Sequence, residues 1–206
     1  EVIDESTRQQ LYANIHDESI WLINLVENLL YVTRIEDGRM NLRMNKELIG
    51  EIVEAALEHV NQETNRITYD CQDEMLMVKA DSRLLMQVII NLADNAIKYS
   101  PSGLPIRVSI RRDADMAVVE VSDHGCGIAD EEKQRVFEKF YRGSRKNNAA
   151  DNRRSLGLGL YLCDAIVAAH GGSISIKDNE PQGTVFSFSL PIEEVAIDES
   201  LSCFDC

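Results

Sequence analysis

The first region of the chain carries an apolar repeat that is typical of a long amphipathic helix. Residues 5–35 contain neither Gly nor Pro. Apolar side chains recur there at spacings of three and four, at Leu11, Ile15, Leu22, Leu25, Leu29 and Val32. Apolar residues at 23, 26 and 30 widen the stripe toward that of a four-helix bundle. At 1.5 Å per residue such a helix is roughly 45 Å long, so we expect it to need a partner helix.

A different pattern follows Gly38, a residue that suits the left-handed turn after a helix end. Apolar spacings then predict, in order, a strand over 40–46, a helix over 48–62, strands over 67–71 and 76–80, and a helix over 82–99. Asp81 or Ser82 provides the cap of the last helix, and Ser100-Pro101 provides its stop. A second domain therefore begins after residue 38.

The rest of the apolar pattern mixes strands and helices in runs. Apolar and polar residues alternate around 106–110, 119–121 and 186–190, which predicts sheet strands with one covered face. Helices are predicted over 130–140 and 160–169. Because strands and helices do not alternate strictly, the sequence favours an α+β fold, with helices on one face of a mixed sheet.

Composition and charge narrow the range of partners. The 206 residues carry 21 Lys and Arg against 35 Asp and Glu, a net charge of -14, which argues against nucleic acid or an anionic lipid surface as the main ligand. No apolar run approaches the roughly 18 residues that cross a bilayer. The five scattered cysteines predict a reducing, cytosolic compartment. In the acidic tail, Cys203 and Cys206 lack the further ligands of a zinc site.

The first candidate for chemistry is a polar stripe formed by Asn91, Asn95, Lys98 and Tyr99. Their spacings of three and four place them on one face of the predicted helix, while Leu92 and its apolar neighbours face the core. Two amides, an ammonium and a phenol can hold a metal ion and its phosphates. A solvated helix face has a similar composition, so both interpretations stay open at this point.

Two glycine-rich strings are the next candidates. Residues 123–128 follow a predicted strand, and Asp123 can accept a hydrogen bond from an exocyclic amine, although an ordinary strand-to-helix turn has a similar pattern. Residues 157–160 open a helix, whose free amides and positive dipole end suit phosphate. This second string lacks the Lys and the Ser or Thr that close a Walker A loop.

Between these strings, residues 144–155 show no apolar periodicity. The segment carries four cations in an otherwise acidic chain, at Arg145, Lys146, Arg153 and Arg154. Cations beside a glycine-rich helix start indicate a lid over the anionic groups of a ligand, with a solvated surface loop as the alternative.

Taken in order, five strings resemble the N, G1, F, G2 and GT boxes of sensor histidine kinases, namely residues 91–99, 123–128, 137–142, 157–160 and 183–184. The resemblance covers essentially the whole chain. It implies a Bergerat-type α/β sandwich over residues 39–192, which is the catalytic ATP-binding domain of the GHKL class. It also implies that residues 1–38 are the second helix of an incomplete dimerisation hairpin, and residues 193–206 remain as an acidic C-terminal tail.

The resemblance assigns contacts to the metal and the phosphates. Asn95 would bind Mg²⁺ through its side-chain oxygen, Asn91 would lie beside the metal or a phosphate, and Lys98 would reach phosphate oxygens. These three residues form the implied catalytic set. Backbone amides of the G2 box would also contact phosphate, at Gly157, Leu158, Gly159 and Leu160.

The resemblance also assigns contacts to the base and the lid. Asp123 would accept a hydrogen bond from the adenine N6 amine, and Thr184 would touch the adenine through the same water. Tyr99 would pack beside the base or the ribose. Further base contacts would lie in the G1 box, at Gly125, Gly127 and Ile128. The residues that anchor the lid or reach phosphate from it would be Phe137, Phe140, Arg142 and Arg154.

The function implied by the resemblance is transfer of the ATP γ-phosphoryl to a histidine on the hairpin of a homodimer, for relay to a response regulator receiver domain. Asn91 cannot accept a proton at neutral pH, unlike the Glu of ATP-hydrolysing relatives, so we expect slow hydrolysis. The chain would be the cytoplasmic portion of a bacterial inner-membrane sensor, with membrane contact only through segments outside it. Two alternatives remain, a GHKL ATPase clamp and a non-catalytic dimerisation scaffold with a nucleotide-sensing site.

One element of the family pattern is missing. The phosphoacceptor His should be followed by an acidic residue and, a few positions on, by Pro-Leu. His16-Asp17 is followed by residues 18–21 without a proline, and it aligns with the second hairpin helix. We therefore expect the chain to lack its own phosphorylation site and to begin partway through the kinase core. The other histidines are interpreted as structural, at His59, His124 and His170.

Overall fold

The structure of the chain is a computed structural model that describes residues 4–37, 41–61, 65–143 and 156–193. The predicted lid at 144–155, with Arg154, lies outside the described residues, as do Gly38, Met40 and the tail from residue 194. The chain divides into two compact units. The first is formed by Glu1–Asn41 and Ala129–Ala165, and the second by Leu42–Ile128 and Ile166–Cys206.

The described residues form five α-helices and seven strands. The helices are α1 (Glu5–Glu36), α2 (Ile49–Asn61), α3 (Ser82–Tyr99), α4 (Asp130–Lys133) and α5 (Gly159–Ala169), with a 3₁₀ turn at Arg135–Phe137. The strands are β1 (Asn45–Leu48), β2 (Ile67–Cys71), β3 (Met77–Ala80), β4 (Ile106–Asp113), β5 (Met116–Ser122), β6 (Ser173–Asp178) and β7 (Thr184–Pro191). The predictions of α1, α2, α3 and α5 are confirmed, since each boundary agrees to within one residue.

In the first unit, α1 is a regular helix whose apolar stripe is accessible to solvent. Asp4 caps its start by accepting a hydrogen bond from the backbone N–H of Thr7 at 2.6 Å. Nine large apolar side chains along α1 are between 44% and 64% exposed, while Val32 near its end is buried. Helix formation is therefore as predicted, and most of the stripe remains available to a further partner.

The prediction of one helix over 130–140 is wrong, because the chain leaves the helical path early. After α4 and the 3₁₀ turn, Phe140 adopts a left-handed conformation with φ of 62°. Its backbone N–H donates to the carbonyl oxygen of Gly157 at 3.0 Å, where a continued helix would need a partner four residues earlier. A tertiary hydrogen bond within the first unit thus replaces the last turns of the predicted helix.

The second unit is built on a five-stranded mixed sheet with the order β2-β4-β5-β7-β6. Only β2 and β4 pair in parallel, and the other neighbours pair in antiparallel. The register aligns Val108 with Val121 and Val121 with Phe186, so apolar residues line up across three strands of one face. Helix α3 packs against β4, β5 and α2. This arrangement confirms the predicted α+β fold.

Two strands differ from the sequence-based expectation. The strand expected over 40–46 begins at Asn45 and pairs as β1 with β3 in a separate two-stranded sheet, so the predicted boundary is wrong. The sequence pattern does not predict strand β6, because Ile174 and Ile176 alone make a weak alternating pattern. Pairing with β7, which the local sequence does not encode, gives β6 its place at the sheet edge.

Candidate functional site

The predicted polar stripe lies on α3, whose apolar side is buried in the second unit. Leu85, Ile89 and Leu92 have no exposed surface. On the other side, Asn91 and Asn95 are half-buried, whereas Lys98 and Tyr99 are exposed, with the Lys98 Nζ 5.5 Å from the centre of the Tyr99 ring. The Asn91 Nδ2 is buried and has no hydrogen-bond partner among the described residues. This helix therefore presents an unpaired amide donor next to an exposed ammonium and phenol.

Asp123 lies directly after β5, and three hydrogen bonds connect it to Thr184 of β7 and to Gly125 of the G1 box. Its backbone N–H donates to the Thr184 carbonyl at 2.9 Å. Its Oδ1 accepts from the backbone N–H of Gly125 at 2.6 Å and from that of Thr184 at 3.3 Å. The side chain is buried, with the residue 4% exposed. Burial raises the pKa of Asp123, and the amides of Gly125 and Thr184 and the nearby His124 oppose this shift.

Two glycines allow the backbone around Asp123 to pack this closely. A Cβ at Gly125 would lie 2.5 Å from the carbonyl oxygen of Tyr99, so the G1 box lies directly against the end of α3. A Cβ at Gly183 would overlap the carbonyl oxygen of Asp123. The second unit thus brings together the N, G1 and GT strings, although residues 91–99 and 183–184 are far apart in sequence.

The F and G2 strings lie in the first unit. Phe137 ends the 3₁₀ turn and is half-buried, whereas Phe140 is 61% exposed and Arg142 is exposed. Gly157 precedes α5, Leu158 is buried, and Gly159 is the first residue of the helix. The described parts of these strings therefore form a turn and a helix start, and Arg154 lies outside the described residues.

Two side chains support this region: His170, which the sequence analysis interprets as structural without a partner, and Asn179, which it does not single out. The Nε2 of buried His170 accepts a hydrogen bond from the backbone N–H of Asp81, the cap of α3, at 3.0 Å, and its Nδ1 lies 2.7 Å from the Ile166 carbonyl. The Nδ2 of Asn179 donates to the carbonyl of Asp123 at 2.8 Å. A His before two glycines and an Asn after a strand give little signal, because both contacts depend on tertiary structure.

A comparison with known protein families assigns the chain. Residues 80–194, more than half of the chain, match the family described as Histidine kinase-, DNA gyrase B-, and HSP90-like ATPase. The chain belongs to this family. The matched range includes α3, Asp123, the glycine-rich strings and Thr184, so the ATPase family match covers every predicted site residue.

Individual members of the ATPase family resemble the chain over most of its length. Sensor protein KdpD of Clostridium acetobutylicum is 36% identical over 94% of this chain, which spans 21% of that protein. The solved mycobacterial sensor histidine kinase MprB is 29% identical with a TM-score of 0.63, and the match covers 74% of this chain and 99% of that one. Full-length ShkA, solved in complex with AMPPNP, shares the fold at 22% identity and a TM-score of 0.75, over 95% of this chain and 41% of that one.

Two further properties of the described residues concern membranes and metal ions. None of the helices in the described ranges is long and apolar enough to cross a membrane. Within the same ranges, no group of three or more His, Cys, Asp and Glu side chains is placed to hold a metal ion.

Proposed function

We propose that this chain is the ATP-binding catalytic part of a two-component sensor histidine kinase. Membership of an ATPase family supports nucleotide binding, and the names of KdpD and MprB support the sensor kinase branch of that family. ShkA, which has the same fold, was solved with AMPPNP, an analogue of ATP. The observation in the structure that carries the proposal is the hydrogen bonding of Asp123.

The Asp123 carboxylate is arranged to accept one further hydrogen bond. Both described donors, the amides of Gly125 and Thr184, bind Oδ1, and Oδ2 accepts none from the described residues. Asp123 is largely buried, so a further donor to its carboxylate would offset part of the cost of keeping the charge there. The N6 amine of adenine is a donor of the right kind. We therefore assign Asp123 to adenine, with Thr184 beside it, Tyr99 next to the base or ribose, and the base contacts of the G1 box at Gly125, Gly127 and Ile128.

The polar face of α3 suits the phosphates and their metal ion. The unpaired, buried Nδ2 of Asn91 is a donor without an acceptor, and a phosphate oxygen would supply one. Mg²⁺ commonly takes one or two protein oxygens together with water and substrate phosphates, so a single amide oxygen from Asn95 fits an ion that arrives with the nucleotide. Lys98 adds an exposed ammonium for phosphate oxygens. The bound Mg²⁺ would neutralise phosphate charge.

The G2 and F boxes are assigned to the phosphates and the lid. The backbone N–H groups of the first turn of a helix such as α5 have no partner within the helix. They point out of its N-terminus, where the positive end of the helix dipole stabilises an anion. We assign phosphate contacts there to the backbone of Gly157, Leu158, Gly159 and Leu160. The proposed lid residues are Phe137, Phe140, Arg142 and Arg154.

The reaction proposed for the whole protein is transfer of the γ-phosphoryl to a histidine outside this site. Phosphoryl transfer depends mainly on positioning and charge neutralisation, which the side chains of Asn91, Asn95 and Lys98 can provide. Asn91 cannot act as a general base for water, so hydrolysis is expected to be slow. The acceptor histidine would lie on the dimerisation hairpin, and a receiver domain of a response regulator would take the phosphoryl next.

The domain organisation follows the same proposal. Residues 1–38 supply the second helix of the hairpin, 39–192 the catalytic domain, and 193–206 a tail. The exposed apolar stripe of α1 supports this role, because a hairpin helix of a homodimer needs such a surface. Membrane attachment of the sensor would come from segments outside this chain, with this part in the cytoplasm. The 36% identity to KdpD makes potassium or osmotic sensing the preferred input.

Calorimetric titration of ATP into the chain, with and without Mg²⁺, tests the binding site. We expect Asp123→Ala to weaken ATP binding about 10- to 100-fold, since a hydrogen bond to a charged group is lost. Asn95→Ala should mainly remove the Mg²⁺ dependence. Asp115→Ala, which changes an exposed carboxylate in the turn between β4 and β5, is the matched control and should bind normally. A folded chain that binds no adenine nucleotide would refute the proposal.

A further inference from the structure

Asn179 lies in the hairpin between β6 and β7, and its side chain contacts the residue assigned to adenine. Its Nδ2 donates to the carbonyl oxygen of Asp123 at 2.8 Å, across 56 positions of sequence. The same Nδ2 lies 3.5 Å from the Nδ1 of His124. This half-buried amide therefore connects one hairpin loop to the backbone that enters the G1 box.

The hairpin loop that carries Asn179 is closed on itself and packed on the same peptide. The backbone N–H of Asn179 donates to the Gly183 carbonyl at 3.1 Å. Gly183 has φ of 138°, and a Cβ there would overlap the carbonyl oxygen of Asp123. The absence of a side chain at Gly183 is thus what lets the loop reach the peptide that Asn179 binds.

The bond from Asn179 restrains the peptide between Asp123 and His124, whose rotation would disturb the hydrogen bonds of the carboxylate. The carbonyl of Asp123 belongs to the peptide that leads to His124 and then to Gly125. If this peptide turned, the N–H of Gly125 would move away from Oδ1, where it now lies at 2.6 Å. The N–H of Thr184, at 3.3 Å, would then be the single amide on that oxygen. The direction in which Oδ2 points therefore depends on the orientation of this peptide.

We propose that Asn179 is a positioning residue for base recognition: by holding the carbonyl of Asp123, it fixes the Asp123 carboxylate in the direction that accepts the 6-amino group of a purine. The inference rests on the proposed function, because it needs Asp123 to read adenine. Asn179 acts through Asp123, so its effect is specific to bases that carry the 6-amino group.

Paired titrations with Mg-ATP and Mg-ITP test this role, because ITP has a carbonyl in place of the 6-amino group. The full chain, Asn179→Leu and Asn179→Asp are compared, since both variants keep the side-chain shape and remove the N–H donor. We expect ATP binding to weaken about threefold to tenfold, as for loss of one hydrogen bond, with ITP binding changed by less than about twofold. Glu180→Gln, an exposed neighbour in the same loop, is the control and should keep the wild-type ratio.

The outcomes separate this inference from the function on which it rests. Retained ITP binding in a variant shows that its fold is intact. If the unmodified chain prefers ATP and either Asn179 variant keeps the full preference, the positioning role is wrong and the proposed function stands. Equal loss of both nucleotides, total loss included, would also overturn it, because Asn179 would then only support the fold. If the unmodified chain binds ATP and ITP equally, the assignment of Asp123 to adenine itself fails.

Discussion

Helices α1 and α3 both carry a continuous apolar stripe, and the two stripes have different surroundings. In α3, Leu85 and Leu92 have no exposed surface. In α1, Leu22 and Ile23 are 50% and 57% exposed. An apolar repeat therefore predicts a helix in both places, but it does not say whether the partner surface lies in the same fold or in another helix.

The starts of the two helices differ in the same way. Asp4, the cap of α1, bonds to Thr7, three residues away. Asp81, the cap of α3, accepts from the N–H of Arg43 at 3.0 Å and donates its own N–H to His170 at 3.0 Å. The start of α3 is thus held by distant residues of its own unit, which suits a helix that positions ligand contacts. The start of α1 depends on a hydrogen bond between neighbouring residues.

The largest expected difference concerns the stability of the fold. Leu92→Ala in α3 should lower the free energy of unfolding by about 2–5 kcal/mol, because it leaves a cavity in the core. Leu22→Ala in α1 should change it by less than about 0.5 kcal/mol, as for other surface sites. Urea unfolding followed by circular dichroism measures both. Similar losses for the two variants would show that the stripe of α1 is already packed in the folded chain.

The second expected effect concerns the cap of α3. His170→Leu should cost about 1–3 kcal/mol of unfolding free energy, because the N–H of Asp81 loses its buried acceptor. His59→Leu on the exposed side of α2 is the matched control, with little expected change. The same urea experiment applies. If His170→Leu were as stable as the control, the cap of α3 would not need its distant partner.

The third expected effect concerns the polar faces of the two helices. Asn95→Ala on α3 should weaken Mg-ATP binding about tenfold, which is about 1.4 kcal/mol, with little change for ATP without metal. Asn24→Ala replaces an exposed amide of α1 and should leave both affinities unchanged. Calorimetric titration distinguishes them. Equal effects of the two substitutions would contradict a special role for the polar face of α3.

The smallest expected effects are opposite pH dependences of two aspartates. Burial raises the pKa of Asp123 in the fold, so the stability linked to its protonation is present at low pH and is lost as the pH rises through that pKa. Asp123→Asn should therefore raise the melting temperature of the ligand-free chain slightly near pH 7, although it weakens ATP binding. Wild-type ATP binding should weaken as the pH falls through the same pKa. A lower melting temperature for Asp123→Asn would contradict the burial cost.

Asp4 gives the contrasting case in α1. The backbone N–H of Thr7 lowers the pKa of Asp4, so its contribution to the helix is present at neutral pH and is lost as the pH falls through the folded pKa. Helix content measured by circular dichroism should fall at acid pH less in Asp4→Ala than in the unmodified chain, because the variant has no cap to lose. Identical acid titrations would argue against capping by Asp4.

The comparison also shows which features the sequence could predict. The periods of α1 and α3 are long and regular, and their limits were predicted to within one residue. The segment 130–140 also has helical spacing, but the bond from Phe140 to Gly157 replaces its last turns. The local apolar pattern therefore predicts the limits of a helix when the helix keeps its regular period. It fails when a distant backbone group takes a hydrogen bond that the helix would otherwise form.

The candidate site shows the same division. The sequence motifs predict Asn91, Asn95 and Asp123 as candidate site residues. Short spacings are enough to place the two Asn residues on one helix face, and Asp123 directly follows a predicted strand. The partners that orient them were not predictable in this way. Asn179 and His170 reach their targets across 56 and 89 positions, and only the sheet and helix packing brings them there.

Transfer of labelled phosphoryl from ATP to a separate histidine-bearing hairpin tests the central claim most directly. The chain would be incubated with γ-labelled ATP, Mg²⁺ and a separate dimerisation hairpin that carries an acceptor His, with a hairpin in which that His is replaced by Gln as control. We predict an acid-labile, base-stable label on the intact hairpin alone, and none with Asp123→Ala. Label that appears only as free phosphate, at the same rate with either hairpin, would contradict the account and indicate an ATPase.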